Sequence, residues 1–251
     1  MGNFNNNQAA EFIVGRQPVI EALKQQRAID KILLQENASG EPIYTIRSLA
    51  REANIPVQVV PAAKFASITK GNHQGVAAVV STIVYQDLET VIAKTIAEDQ
   101  TPLIVMLDGI TDVRNIGGIA RSCLCCGVHA LVLPDKGVGA LNADAMKASA
   151  GALQHLAVCR VNSLLKAVDF LHSKELKVFT SIVNAPKLLG EIDLRLPSCI
   201  IMGSEDKGVQ PYLQKAADEG FRIPMPGRFD SFNVSVATGI ILYEAVRQRS
   251  A

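Results

Sequence analysis

The chain has almost no net charge. Its 25 Lys and Arg nearly cancel its 24 Asp and Glu, leaving a formal +1 over 251 residues. Proteins that coat nucleic acid indiscriminately carry a strong basic excess, so this balance argues against that class. It leaves room for RNA, because a near-neutral enzyme with a local basic patch binds one folded site. Long hydrophobic runs are missing too. No apolar stretch reaches membrane-spanning length, although 48% of the residues are apolar. No secretory signal pattern is read at the start. Cysteine is scarce, with five residues. Cys123, Cys125 and Cys126 fall on one expected helix, and Cys159 and Cys199 fall in apolar strand-like runs. No Cys-x-x-Cys pair meets a second pair, or His at zinc spacing, so no metal is expected. Buried, reduced thiols in a cytoplasmic protein are expected instead. The dinucleotide fingerprint is also lacking. The only Gly-x-Gly, Gly137 to Gly139, has no third glycine and follows Pro134 and Asp135 without opening a helix.

What is present alternates short helices and strands, which predicts an α/β protein. Residues 1–10, rich in Asn and Gln, read as a disordered leader. Residues 11–82 read as a small α/β unit: helices at Pro18–Gln25, Tyr44–Ala53 and Ala62–Ile68, and strands at Lys31–Leu34, Val57–Val60 and Val76–Val80. Residues 83–101, with a short helix at Val91–Glu98, read as a linker. Residues 102–251 form the second half. Strands are predicted at Leu103–Leu107, Ala130–Leu133, Ala157–Val161, Val178–Ser181, Cys199–Met202 and Phe221–Ile223. Helices are predicted at Gly117–Cys126, Leu164–Leu171, Pro211–Ala217 and Val234–Gln248. Continuous apolar strands between helices indicate a mainly parallel sheet covered on both faces.

Three strand-to-helix junctions in this half carry glycine and polar residues at the carboxyl end of a strand, where open parallel sheets bind ligands. They are Leu103 to Val128, Cys199 to Val209 and Ile223 to Glu244. The last begins I-P-M-P-G-R-F-D-S-F-N-V-S-V-A, placing Ser231, Asn233 and Ser235 at a helix start. Such a start offers a hydroxyl, an amide and free backbone N–H groups at one point. Read alone, it is equally a plain N-cap.

The patterns N-x-G-x-x-x-R (Asn115, Gly117, Arg121), G-x-E-x-x-G (Gly203, Glu205, Gly208) and I-P-M-x-G-x-x-x-S-x-N-V-S-V-A (Ile223 to Ala237) resemble the three motifs of the SpoU-type methyltransferases of the SPOUT superfamily. Further resemblance lies in I-V-G-R-Q-P-V-I-E-A-L (Ile13 to Leu23), H-Q-G-V-A-A (His73 to Ala78) and K-A-S-A-G-A-L-Q-H-L (Lys147 to Leu156). These stretches are similar to the 23S rRNA guanosine-2′-O-methyltransferase group, so the resemblance runs from about Glu11 to Arg249. Phe232 stands where that family usually has leucine. The resemblance implies transfer of a methyl group from S-adenosylmethionine to a ribose 2′-hydroxyl of RNA, with a guanosine in 23S rRNA as target. It also implies an amino-terminal RNA substrate-binding domain, a trefoil knot near the carboxyl end and a homodimer formed through the carboxyl-terminal domain. Competing readings are a tRNA 2′-O-methyltransferase and a non-catalytic RNA-binding ribosome assembly factor.

Methyl transfer to a ribose hydroxyl needs in-line positioning, management of the hydroxyl proton and exclusion of water. By resemblance, Gly203, Ile223, Met225, Ser231 and Phe232 hold the cofactor. Gly203 lets the backbone approach it, and Ile223 and Phe232 sandwich the adenine. Arg121, Asn115, Glu205 and Asn233 are the catalytic candidates. Arg121 is expected to lower the cost of the 2′-oxyanion and to clamp a phosphate, since its high pKa makes it a poor base. As a lone cation in an apolar helix, it is also expected to be paired.

Overall fold

A computed structural model describes residues 12–250 apart from 54, 69, 70, 140, 142, 229 and 230. The leader expected over residues 1–10 lies outside them. The chain divides after Ile83 into two compact units.

The first unit runs β1 (Phe12–Val14), α1 (Arg16–Lys24), β2 (Ile29–Gln35), α2 (Glu41–Glu52), β3 (Val57–Val60), α3 (Ala62–Ile68) and β4 (Val76–Val80). Its four strands lie in the order β1-β4-β2-β3. Strand alternation sorts the side chains to two faces. Ile32, Leu34, Val76 and Ala78 pack on one face with Val19, Ile20, Ile43 and Ile46 of α1 and α2. Leu33 and Ala77 pack on the other with Phe65 of α3. The small β4 side chains let helices sit close on both sides. Burying Phe65 and Ile46 completely contributes about 1.5–3 kcal/mol each.

Residues 84–250 carry β5 (Tyr85–Gln86), α4 (Leu88–Ala97), β6 (Leu103–Asp108), α5 (Val113–Cys125), β7 (Ala130–Pro134), α6 (Ala143–Ala148), β8 (Val158–Val161), α7 (Leu164–Ser173), β9 (Lys177–Ser181), β10 (Lys187–Leu188), β11 (Ser198–Gly203), α8 (Pro211–Ala216), β12 (Glu219–Arg222) and α9 (Val234–Arg249). Eight strands form one sheet in the order β10-β12-β9-β11-β6-β7-β8-β5. Every pairing in it is parallel. All six residues of β6 are buried, as a strand covered on both faces requires. Ile104 and Met106 join the core made with α4, α7 and α8.

The stretch expected as a linker is structured. β5 pairs with β8 at the sheet edge, and Leu88, Val91 and Ile92 of α4 enter the main core. Asp87 caps α4 by accepting from the Thr90 N–H at 2.9 Å, a bond of about 1 kcal/mol. The polar residues there cap and solvate a helix rather than separate two units. The third motif also starts later than its strand: β12 ends at Arg222, and Ile223 lies beyond it.

Strand order reverses at β6. The chain passes from β6 through β7 to β8 on one side, and β9 and β11 then lie on the other. The carboxyl ends of β6 and β11 therefore flank the crevice where parallel sheets take ligands.

Candidate active site

The three motif segments meet at that crevice. The loop after β6 leads into α5, whose cap is Asp112: its carboxylate accepts from the Arg114 N–H at 2.8 Å. The Arg114 guanidinium pairs with the same carboxylate at 3.0 Å and holds it below the usual carboxylate range. After β11 the chain makes a tight turn, with the Gly208 N–H donating to the Ser204 carbonyl at 2.8 Å. Gly208 has φ +63°, a conformation few other residues adopt without strain. Asn233 caps α9, its Oδ1 accepting from the Ser235 N–H at 3.0 Å and the Ser235 hydroxyl at 2.6 Å.

Glu205 ties these segments together. Its Oε1 accepts from Asn233 Nδ2 at 2.6 Å, from Asn115 Nδ2 at 3.3 Å and from the Val234 N–H at 3.3 Å. Asn233 Nδ2 also donates to Asn115 Oδ1 at 2.9 Å. Three residues distant in sequence thus form one closed cluster. Bonds to a carboxylate are the stronger kind, on the order of 1.5–3 kcal/mol when shielded and less at this exposed position. Glu205 Oε2 makes no hydrogen bond among the described residues.

Two cavities flank the cluster. The first, of about 380 Å³, is lined by Gly203, Ile223, Met225, Ser231 and Phe232, with Ser181 to Asn184 at the end of β9. All five expected cofactor residues therefore share one cavity. Neither Ile223 nor Phe232 is buried in the core; Phe232 is 39% exposed. The second, of about 330 Å³, lies between the loops after β6 and β11 and is lined by Thr111, Asp112, Asn115, Lys207 and Gln210 among others. Glu205 borders both.

Two expectations about individual residues change. A Cβ on Gly203 would lie 2.0 Å from the Gly208 carbonyl carbon and 2.1 Å from the Val209 nitrogen. Its missing side chain makes room for its own turn rather than for a ligand. Arg121 is exposed, lines neither cavity and pairs with no polar group among the described residues. At six residues beyond Asn115 it sits about 120° around α5, so the helix does not aim both at one point. Solvation, not pairing, offsets its charge. The thiols divide as well: Cys123, Cys159 and Cys199 are buried, but Cys125 is exposed and Cys126 half-buried. Burial pushes the Cys159 thiol up to about 12.

The sequence reading missed Asp108. It ends β6, is only 6% exposed, and its carboxylate accepts from the Gln210 N–H at 2.7 Å. Burial raises its carboxyl above the usual range, while the Gln210 N–H opposes that rise. One acid closing the apolar run L-I-V-M-L-D was the available signal.

Comparison with known proteins gives this geometry a family. Residues 102–243 match the SpoU rRNA Methylase family, and residues 12–86 match the family described as RNA 2′-O ribose methyltransferase substrate binding. A Bacillus subtilis protein, provisionally named a TrmH family tRNA/rRNA methyltransferase, is 30% identical over 97% of this chain and 98% of its own. A Staphylococcus saprophyticus protein of the same provisional name is 34% identical over 95% and 96%. Among solved structures, the SpoU methyltransferase AviRb of Streptomyces viridochromogenes, in complex with AdoMet, superposes with TM-score 0.62 at 23% identity, covering 99% of this chain and 95% of that one. The TrmH/SpoU tRNA modifying enzyme of A. aeolicus gives 0.55 at 30% identity, over 60% and 77%. With its second unit matched from Pro102 to Tyr243 and relatives aligned over nearly its whole length, the chain belongs to the SpoU family of RNA methyltransferases.

Proposed function

We propose that the chain transfers a methyl group from S-adenosylmethionine to the 2′-hydroxyl of a guanosine ribose in 23S rRNA. The observation that carries this reading is the Asn115–Glu205–Asn233 cluster standing between two cavities. The first cavity suits the cofactor: it is concave, has the apolar walls Ile223, Met225 and Phe232, and carries a few polar groups. When bound, the cofactor supplies a methyl on a positively charged sulfur, which leaves with its electron pair as a neutral thioether.

The chain's own residues do the rest. Ile223 and Phe232 would grip the adenine, with Met225 and Ser231 lining the same cavity. Gly203 acts one step removed, by allowing the turn that carries Glu205. The three N–H donors on Glu205 Oε1 hold the carboxylate in place, leaving Oε2 to accept the 2′-hydroxyl hydrogen as the oxygen bonds to the methyl carbon. Asn115 and Asn233 fix that carboxylate and orient the ribose. Arg121, with its exposed planar fork, takes an RNA phosphate and lowers the cost of negative charge on the 2′-oxygen. Residues 12–83 supply the docking surface that selects the RNA. The trefoil knot and a homodimer belong to the same proposal. Val236 and Tyr243, seven residues apart on α9 and both exposed, give the dimer an apolar strip.

Mapping 2′-O-methyl positions in rRNA and tRNA from cells with and without this protein tests the target. Loss of one 23S guanosine methyl is expected. Loss confined to tRNA would overturn the target and leave the chemistry standing.

A further inference from the structure

We infer that the second cavity seats the acceptor nucleoside and that Gln210 and Lys207 select it. This rests on the methyltransferase reading proposed above. The cavity lies between the loops that follow β6 and β11, where the strand order reverses. It shares the wall from Ser204 to Lys207 with the cofactor cavity, while Asn115 lines the second cavity alone. A ribose seated there meets Asn115 and Glu205 from one side. A methyl donor in the first cavity meets Glu205 from the other. The 2′-oxygen and the methyl then meet in line beside Glu205, at the edge the two cavities share.

The lining fits a nucleoside. Its volume of about 330 Å³ is near the lower end for small-molecule sites, so it holds one nucleoside rather than a longer stretch of RNA. Its walls are mainly polar, in contrast to the apolar grip of the first cavity. The Asp112, Asn115, Ser204 and Glu205 side chains are already engaged, while the Thr111 hydroxyl and the Asp206 carboxylate make no hydrogen bond among the described residues. The Asp112 carboxylate is held by the Arg114 N–H and guanidinium, and Glu205 Oε1 by three donors. The Gln210 amide and the Lys207 ammonium have no partner among the described residues. An amide offers one donor edge and one acceptor, the complement of a base edge, and an ammonium offers donors to a base carbonyl or ring nitrogen. Gln210 projects from a fixed backbone, because its N–H is held by the buried Asp108 carboxylate at 2.7 Å. A reader on an anchored backbone discriminates better than one on a loose loop.

The test uses the full chain, tritiated S-adenosylmethionine, and in vitro transcripts of 23S rRNA and of tRNA. Gln210→Ala is expected to raise the KM for the accepted RNA about tenfold or more, the scale of a lost base-edge pair. It should also relax which nucleotide is methylated, while cofactor affinity by calorimetry and the melting temperature stay unchanged. Lys207→Ala, on the exposed turn that borders both cavities, should raise the RNA KM several-fold more than the cofactor KM. Unchanged RNA KM and unchanged product in both variants, with an active wild type, would overturn this inference alone. Equal weakening of cofactor and RNA would also overturn it, by merging the two cavities into one site. A wild type that methylates neither RNA would contradict the parent reading and take the inference with it.

Discussion

At the residue scale, the two-cavity arrangement separates binding from chemistry. Asn115 lines only the second cavity and holds Glu205. Asn115→Ala should therefore lower turnover about 10- to 100-fold with cofactor affinity by calorimetry within about twofold. Arg121 makes no hydrogen bond or ion pair among the described residues, so Arg121→Lys should leave the melting temperature and cofactor affinity untouched. If its planar fork clamps phosphate, turnover on RNA should still fall, on the order of 100-fold; near-normal turnover would remove Arg121 from the mechanism. Gly203 behaves differently. Even Gly203→Ala forces the 208–209 backbone to shift, a packing conflict of roughly 1–3 kcal/mol. The expected outcome is a melting temperature several degrees lower together with weaker cofactor binding. A stable Gly203→Ala protein with full affinity would show that the turn is slack.

At the scale of elements, α9 is the piece that carries Asn233 into the site, and its far end is firmly tied. Gln248 donates to the Ile192 carbonyl at 3.0 Å and accepts from the Leu194 N–H at 2.8 Å. The Arg249 guanidinium donates to the carbonyls of Leu194, Thr101, Pro102 and Leu196. Glu244 joins this end to itself: hydrogen bonds from Arg247 and Gln248 hold its carboxyl at about 2, against an ordinary 4.5. A depressed folded value means the bond's contribution is complete above about 4.5 and is lost as pH falls toward 2. Melting temperature against pH should therefore fall less steeply between those limits in Glu244→Gln than in the wild type. Parallel curves would show that the carboxylate gains nothing on folding. The elements also show what pattern alone reveals. The runs behind β3, α3 and β4 and the long helix α9 were legible because each holds apolar residues over several positions between polar or turn residues. β1, β5 and β10 were not, since two or three edge residues carry no period. Residues 83–101 looked like a linker because α4 exposes most of its polar residues, yet Leu88, Val91 and Ile92 on one face belong to the core. At the site, motif spacing identified Asn115, Glu205 and Asn233, but which atoms bond depends on turns closing in three dimensions. The free Gln210 amide was invisible for that reason, Asp108 left only its place as the one acid closing an apolar strand, and the exposure of Arg121 was misjudged because its apolar neighbours face inward.

At the scale of the molecule, the division after Ile83 places every residue of both cavities in the second unit. A fragment of residues 84–251 should fold and bind S-adenosylmethionine like the full chain, because β5 and α4 stay with the sheet they complete. It should lose most methylation of rRNA, since a chain of near-zero net charge cannot rely on diffuse attraction to phosphate. Full activity of the fragment would show that the first unit does not select RNA. The central claim, that this site methylates a ribose hydroxyl, has a more direct test in the chemistry of the product. A 2′-O-methyl group blocks alkaline cleavage of the adjoining phosphodiester, which needs a free 2′-hydroxyl. The measurement is alkaline hydrolysis of a 23S rRNA transcript after incubation with the protein and tritiated S-adenosylmethionine. The account predicts label in alkali-resistant dinucleotides, abolished in Glu205→Gln. Label released in mononucleotides would mean a methylated base, and would contradict it.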